Sequence, residues 1–133
     1  MNKLFMFAIS IALIITSCTK TETTAPVDLS GTTWNGLANV PGLTLSDRPF
    51  VLNFNADGTL TGSLTNGSSF AINGTWNLTP NSSTVRLFFT LATVSGSYVG
   101  QATLTTNNTK MESGTGTNAT MPSANLNFTV TKS

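Results

Sequence analysis

The chemistry open to this chain is narrowed first by what its 133 residues lack. There is no histidine, and the one cysteine is Cys18. Losing His removes the commonest general base, the usual triad member and the commonest metal ligand together. A single Cys builds neither an intrachain disulfide nor a zinc cluster. The acids are Glu22, Asp28, Asp47, Asp57 and Glu112. A glycosidase needs two carboxylates facing each other across a sugar, and Asp47 with Glu112 is the only pair here that could serve. Asp47 is expected instead to pair with the adjacent Arg48 or to shape a turn. Asp57 precedes Gly58, a dipeptide favoured in hairpin turns, and Glu112 lies near Lys110. Asn53-x-Asn55-x-Asp57-Gly58 has the outline of a calcium loop. However, Asn stands at the first ligand and Leu64 where the bidentate Glu belongs, so a strand entering a turn is expected. No catalytic group, metal site or cofactor is expected.

Cys18 has a different setting. Lys3 precedes an apolar run from Leu4 to Ile15, interrupted only by Ser10. The run suits a secretory signal and is short for a permanent transmembrane helix. It ends in Ile15-Thr16-Ser17-Cys18, which resembles the lipobox of bacterial lipoproteins. The resemblance implies export, cleavage before Cys18 and a diacylglyceryl group on its sulfur. It also implies a further acyl chain, palmitate among them, on the new amine. Several chains anchor far better than one, since each buried methylene adds roughly 0.8 kcal/mol. Thr19 rather than Asp follows the cysteine, which by the enterobacterial sorting rule implies the outer membrane.

The domain boundaries follow: signal over 1–17, lipidated Cys and flexible tether over 18–28, one folded domain over 29–133. The tether, rich in Thr and almost free of apolar residues, spans roughly 30–35 Å when extended. Charged residues are only 8% of the chain, against about a quarter in typical proteins. Lys3 leaves with the signal, so five basic residues face five acids and the mature charge is zero. Such a surface has no clustered Lys and Arg for a nucleic-acid backbone and no polybasic patch for anionic lipids. Solubility rests on Thr, Asn, Ser and Gly.

From Leu29 onward short alternating runs are separated by Gly, Asn, Asp and Pro clusters. Strands are predicted over Thr33–Ala38, Pro49–Asn55, Thr59–Leu64, Ser69–Leu78, Thr84–Leu91, Ser97–Thr105, Lys110–Thr117 and Ala124–Lys132. Short connections between them, such as the Asn66-Gly67 hairpin signal, predict an all-β, eight-stranded antiparallel up-and-down meander. Closure into a barrel would remove exposed edges; a β-sandwich is the alternative. The connections Asn39–Arg48, Thr65–Ser68, Ala92–Gly96 and Asn118–Ser123 share one end. They are mostly longer and carry Val40, Leu43, Leu45, Val94 and Met121, so this end is expected to be an open mouth and the other to be closed.

Several segments resemble the small lipocalin-like lipoproteins of Bacteroidetes, within the calycin class of β-barrels. They are Leu29-Ser30-Gly31-Thr32-Thr33-Trp34-Asn35-Gly36, Phe54 through Gly62, Asn73-Gly74-Thr75-Trp76, Tyr98-Val99-Gly100 and Asn127 through Lys132. Gly31 and Trp34 are one residue further apart than the lipocalin Gly-x-Trp. Lys132 stands where lipocalins carry an Arg on the last strand. No Trp follows Trp76, so biotin recognition of the avidin type is not implied.

These readings converge on a non-enzymatic, membrane-anchored barrel that binds a small apolar or amphipathic ligand. The ligand would touch Trp34, Val40, Leu43, Leu45, Trp76, Val94, Tyr98 and Met121. Trp34, Trp76 and Tyr98 have the shape to wall a cavity or, in so small a domain, to fill the core. The competing expectation is an envelope structural or protein-interaction module with a filled core. Arg86 and Phe88 are expected on the outer face of their strand.

Overall fold

Strict alternation gives every strand one apolar face, and the stable arrangement turns all those faces inward. A computed structural model describes residues 27–92 and 94–133; the expected signal, Cys18 and most of the tether lie outside them. The strands are β1 (Thr32–Val40), β2 (Leu45–Phe54), β3 (Thr59–Asn66), β4 (Ser68–Leu78), β5 (Thr84–Leu91), β6 (Ser97–Leu104), β7 (Lys110–Asn118) and β8 (Leu126–Lys132). Each pairs antiparallel with the next. β8 returns to β1 through Trp34↔Lys132, Gly36↔Val130 and Ala38↔Phe128. The meander is therefore a closed eight-stranded barrel, not a sandwich, and no strand edge is left unpaired.

β5 shows why the wall forms. Val85, Leu87, Phe89 and Leu91 are buried, while Arg86, Phe88 and Thr90 face out. Polar turns then redirect the chain. In the turn after β2, Asp57 Oδ1 accepts hydrogen bonds from Thr59 N (2.9 Å) and Thr59 Oγ1 (2.6 Å). Asn81 and Asn108 take up left-handed backbone in the turns after β4 and β6, a conformation that Asn tolerates better than most residues.

Inside, Phe89 stacks on Tyr98 with ring centroids 4.9 Å apart. Phe54 stands edge-on to Trp76 at 5.5 Å, and Phe50 tilts against Phe128 at 5.1 Å. The core side chains are at most 4% exposed. Leu45, Phe70, Trp76, Leu78, Val94 and Met121 pack half-buried against them, so apolar side chains occupy the barrel interior from one end to the other.

The connection expected over Asn39–Arg48 is much shorter in the structure. Ala38 pairs with Arg48 and Val40 with Leu45, so a bulge carries both strands past the expected loop. Asp47 lies in that bulge at φ 51° and donates its N–H to Asn39 Oδ1 at 2.9 Å. Only Pro41–Thr44 is left as a connection, with a 3₁₀ turn over Pro41–Leu43. A second 3₁₀ turn, Pro122–Ala124, precedes β8, so Ala124 is buried in that turn and does not begin the strand.

These two turns cap the end that was expected to be an open mouth. They pack so closely that a Cβ on Gly42 would overlap the Ser123 carbonyl oxygen. Beneath them the Tyr98 hydroxyl donates to Ala124 O at 3.1 Å. The apolar residues of these connections gain more by folding over the core than by standing out as a rim. The opposite end is closed as expected. Leu29 is buried there and Val27 packs on the core. Trp34 Nε1 donates to Thr32 Oγ1 (2.8 Å) and Trp76 Nε1 to Asn55 O (3.1 Å).

Candidate functional site

The residues expected to hold a ligand are divided between the two ends. Trp34, near the start of β1, and Trp76, late in β4, lie toward the end where Leu29 packs. Val40, Leu45, Val94, Tyr98 and Met121 gather with Leu43 at the capped end. Trp34, Val40 and Tyr98 are buried, Leu45, Trp76, Val94 and Met121 are half-buried, and Leu43 is exposed. Burial pushes the Tyr98 phenol above its ordinary pKa. A buried Asn118 ties the cap together. Its Oδ1 accepts from Thr120 N (3.0 Å) and Met121 N (2.9 Å), and its Nδ2 donates to Ser95 O (2.9 Å).

The charged residues are placed differently from expectation in one respect. Arg48 shares the inward face with Ala38, its partner on β1, whereas Asp47 is exposed on the outer wall. Successive strand residues point to opposite faces; of the two roles expected of Asp47, the ion pair with Arg48 does not form, and the residue instead shapes the chain at the left-handed bulge. Arg48 Nε is buried without a hydrogen-bond partner. Lys110 and Glu112 pair at 2.7 Å on the surface. Asn55 and Asp57 spend their side chains on Thr59, which makes this segment a hydrogen-bonded turn. Among the described residues no three His, Cys, Asp or Glu side chains cluster as metal ligands.

The outer wall carries a groove of about 420 Å³ across β7, β8 and β1. It is lined by Leu37, Asn39, Asp47, Ser113, Gly114, Thr115, Asn127, Phe128 and Thr129. Two bulges frame it. One is the Asp47 bulge of β2. The other lies in β7, where Met111 pairs with Val130 and Gly114 with Phe128, leaving Glu112 and Ser113 opposite Thr129. Ser113 has φ 51°. With no side chain at Gly114, the Phe128 ring lies directly beneath its backbone on the core side, so the groove floor is backbone backed by an aromatic. Leu37, 47% exposed, supplies an apolar wall. Elsewhere on the barrel Phe88 and Val99, 48% and 57% exposed, face outward as a cross-strand pair.

Of the groove residues, the sequence singles out only Asp47 as a chemical group, and for a different reason; Asn127, Phe128 and Thr129 enter only within the last motif of the lipocalin-like resemblance. Asn39 and Asp47 were expected within a long loop. The β7 bulge shows in the burial of the strand and not in its residue types. Inward positions step from Met111 to Gly114, Gly116 and Asn118, and the three-residue first step breaks the period of two.

The closed up-and-down barrel is consistent with a calycin, lipocalin-like fold, an architecture compatible with small-molecule binding. Compared with protein-family models, curated proteins and solved structures, the chain matches none of them.

Proposed function

We propose that this chain is a non-enzymatic binding protein of the bacterial cell envelope, of the small lipocalin-like lipoprotein type. Acyl chains on Cys18 would hold it, on the outer membrane, and its filled barrel would present the outer-wall groove to a ligand or protein partner. The observation that carries this reading is where the free space lies: the core is sealed, whereas the groove is open and lined by hydrogen-bonding side chains. The lipobox-like Ile15–Cys18 supports the anchor. The scattered acids and absent His support a role without catalysis.

A second reading keeps a small apolar or amphipathic ligand at the capped end. Leu45, Phe70, Val94 and Met121 are only half-buried against the core, and Arg48 on the inward face of β2 could meet an anionic head group. Native mass spectrometry of the full chain extracted from its own membrane separates the two. A retained small apolar mass supports the second reading and counts against the first. A ligand-free mass, with a partner whose cross-linking is lost in Thr115→Trp, supports the first. The anchor is tested by metabolic labelling with palmitate. Label lost in Cys18→Ala, together with release from the membrane fraction, is expected; retention of both would refute it.

A further inference from the structure

We propose that the outer-wall groove between the β2 and β7 bulges is a binding site for a neutral sugar, taken as a terminal or short oligosaccharide unit. This rests on the reading of the outer wall as the contact surface. The volume falls in the range of roughly 300–1,000 Å³ common for small-molecule sites. The chemistry of the lining decides the class. Asp47 offers a carboxylate that only accepts hydrogen bonds. Asn39 already accepts the Asp47 N–H with its Oδ1, which orients its Nδ2 as a free donor. Asn127 adds a complete amide, while Ser113, Thr115 and Thr129 add hydroxyls able to give and to accept. Among the described residues no Lys or Arg lines the groove, so a phosphate or carboxylate ligand would find no countercharge. One carboxylate among neutral groups falls short of the ligand set that a hard cation needs. A lipid chain would strand these polar groups without partners. A sugar ring meets every requirement. Vicinal hydroxyls can bridge a carboxylate and an amide, and the C–H face of the ring can rest on Leu37 and the floor above Phe128.

The backbone supports the same assignment. Two non-glycine residues in left-handed conformation, Asp47 and Ser113, stand on opposite sides of the groove, and bulges re-aim side chains and interrupt pairing. Each such residue holds a polar side chain away from the regular pleat and toward the gap.

The test is a titration of the full, lipidated chain, in a detergent without sugar, against chitotriose, maltotriose and mannotriose, with inorganic phosphate as control. Amide shifts are followed by NMR up to about 10 mM sugar, where a Kd near 1 mM would saturate the site. At least one trisaccharide is expected to shift Asn39, Asp47, Ser113, Thr115, Asn127 and Thr129 saturably. Asp47→Asn and Asn127→Ala are each expected to weaken it tenfold or more, and Thr75→Ala, on a distant wall, to leave it unchanged. Absence of any shift at those amides with all three sugars overturns the sugar assignment, as does a response to phosphate in their place. If no sugar binds yet Thr115→Trp still abolishes partner cross-linking, the sugar assignment falls and the outer-wall reading stands. Sugar-induced shifts confined to Phe70 and Met121 would overturn both.

Discussion

Replacing Asn118 by alanine removes three hydrogen bonds from one buried point. Two are backbone N–H groups, of Thr120 and Met121, and the third is the Ser95 carbonyl. The side chain thus pins the β7–β8 connection and the β5–β6 connection to each other across the capped end. A net intramolecular hydrogen bond contributes about 0.5–1.5 kcal/mol, and a partner left buried and unsatisfied costs more. Some of these backbone groups will find water once the side chain is gone, so the expected loss is about 2–4 kcal/mol. A domain of this size has roughly 5–15 kcal/mol of stability in all, which makes the change large and measurable. Urea unfolding of the full chain in detergent should show a lower midpoint with an unchanged slope. Amide exchange at Thr120 and Met121 should rise ahead of exchange in the barrel strands. Asn125→Ala removes only the acceptor for the Asn118 backbone N–H, at an exposed position, and should cost less than half as much. If Asn118→Ala lay within about 0.5 kcal/mol of the native chain, the size expected of an unremarkable surface change, Asn118 would not be what holds the cap.

Three further outcomes are expected. Gly42→Ala should cost about 1–3 kcal/mol, because its Cβ would overlap the Ser123 carbonyl oxygen, and should speed hydrogen exchange across both 3₁₀ turns; full retention of exchange protection would argue against their packing. Arg48→Met should be neutral or stabilising in thermal melts, since it removes a buried, unpartnered Nε–H and keeps the apolar stem. A clear drop in Tm there would mean that the guanidinium has a partner. Hydrogen bonds from the Thr59 side chain and backbone hold the Asp57 carboxyl below its ordinary pKa in the folded chain. The stabilisation is therefore present above the unfolded pKa of about 3.9 and is lost as pH falls through the lower folded value. Asp57→Asn should flatten the acid limb of the stability profile, and an unchanged limb would contradict the assignment.

The barrel was legible because its signal is local and repeated. β5 was placed with both ends correct, and the other seven strands were found with ends shifted by a few residues at most. The period of two survives wherever one face is buried and the other wet. It failed at Asn39–Arg48 for a definite reason. Pro41 and Gly42 read as loop residues, and a bulge at Asp47 lets the ladder continue after the alternation has slipped. Bulges are set by pairing across strands, which no single stretch of sequence contains. The capped end was misjudged on the same ground. Apolar residues in a connection can line an opening or cover a core, and only the proximity of Gly42 to Ser123 decides between them. The groove was invisible because it is assembled across three strands plus Asp47: its polar members are ordinary surface residues when read alone, and Leu37, Gly114 and Phe128 join them only through strand pairing.

The sparse charge of this surface makes sense once the sheet is closed. An open sheet spends Lys, Glu and Pro on its edges to prevent pairing with other chains, but a closed barrel has no edge to protect. Its exterior can be built from Thr, Asn and Ser, and any recognition there must rely on short-range hydrogen bonds. Binding of that kind gains little from electrostatic steering and is expected to be weak per site. Confinement to a membrane would offset this weakness, because several tethered copies meeting one repetitive surface raise the effective concentration without any new contact. Hydrogen-bonded recognition of this kind should be insensitive to salt. Raising ionic strength from about 0.05 to 0.5 M shortens the screening length several-fold, and contacts dominated by Lys and Arg weaken steeply over that range. Binding at the groove, where Asp47 is the only ionisable lining residue among those described, should change less than twofold. A Kd that rose tenfold with salt would show that the decisive contact is made by charged residues elsewhere, with Arg86 beside the exposed Phe88 the first place to look.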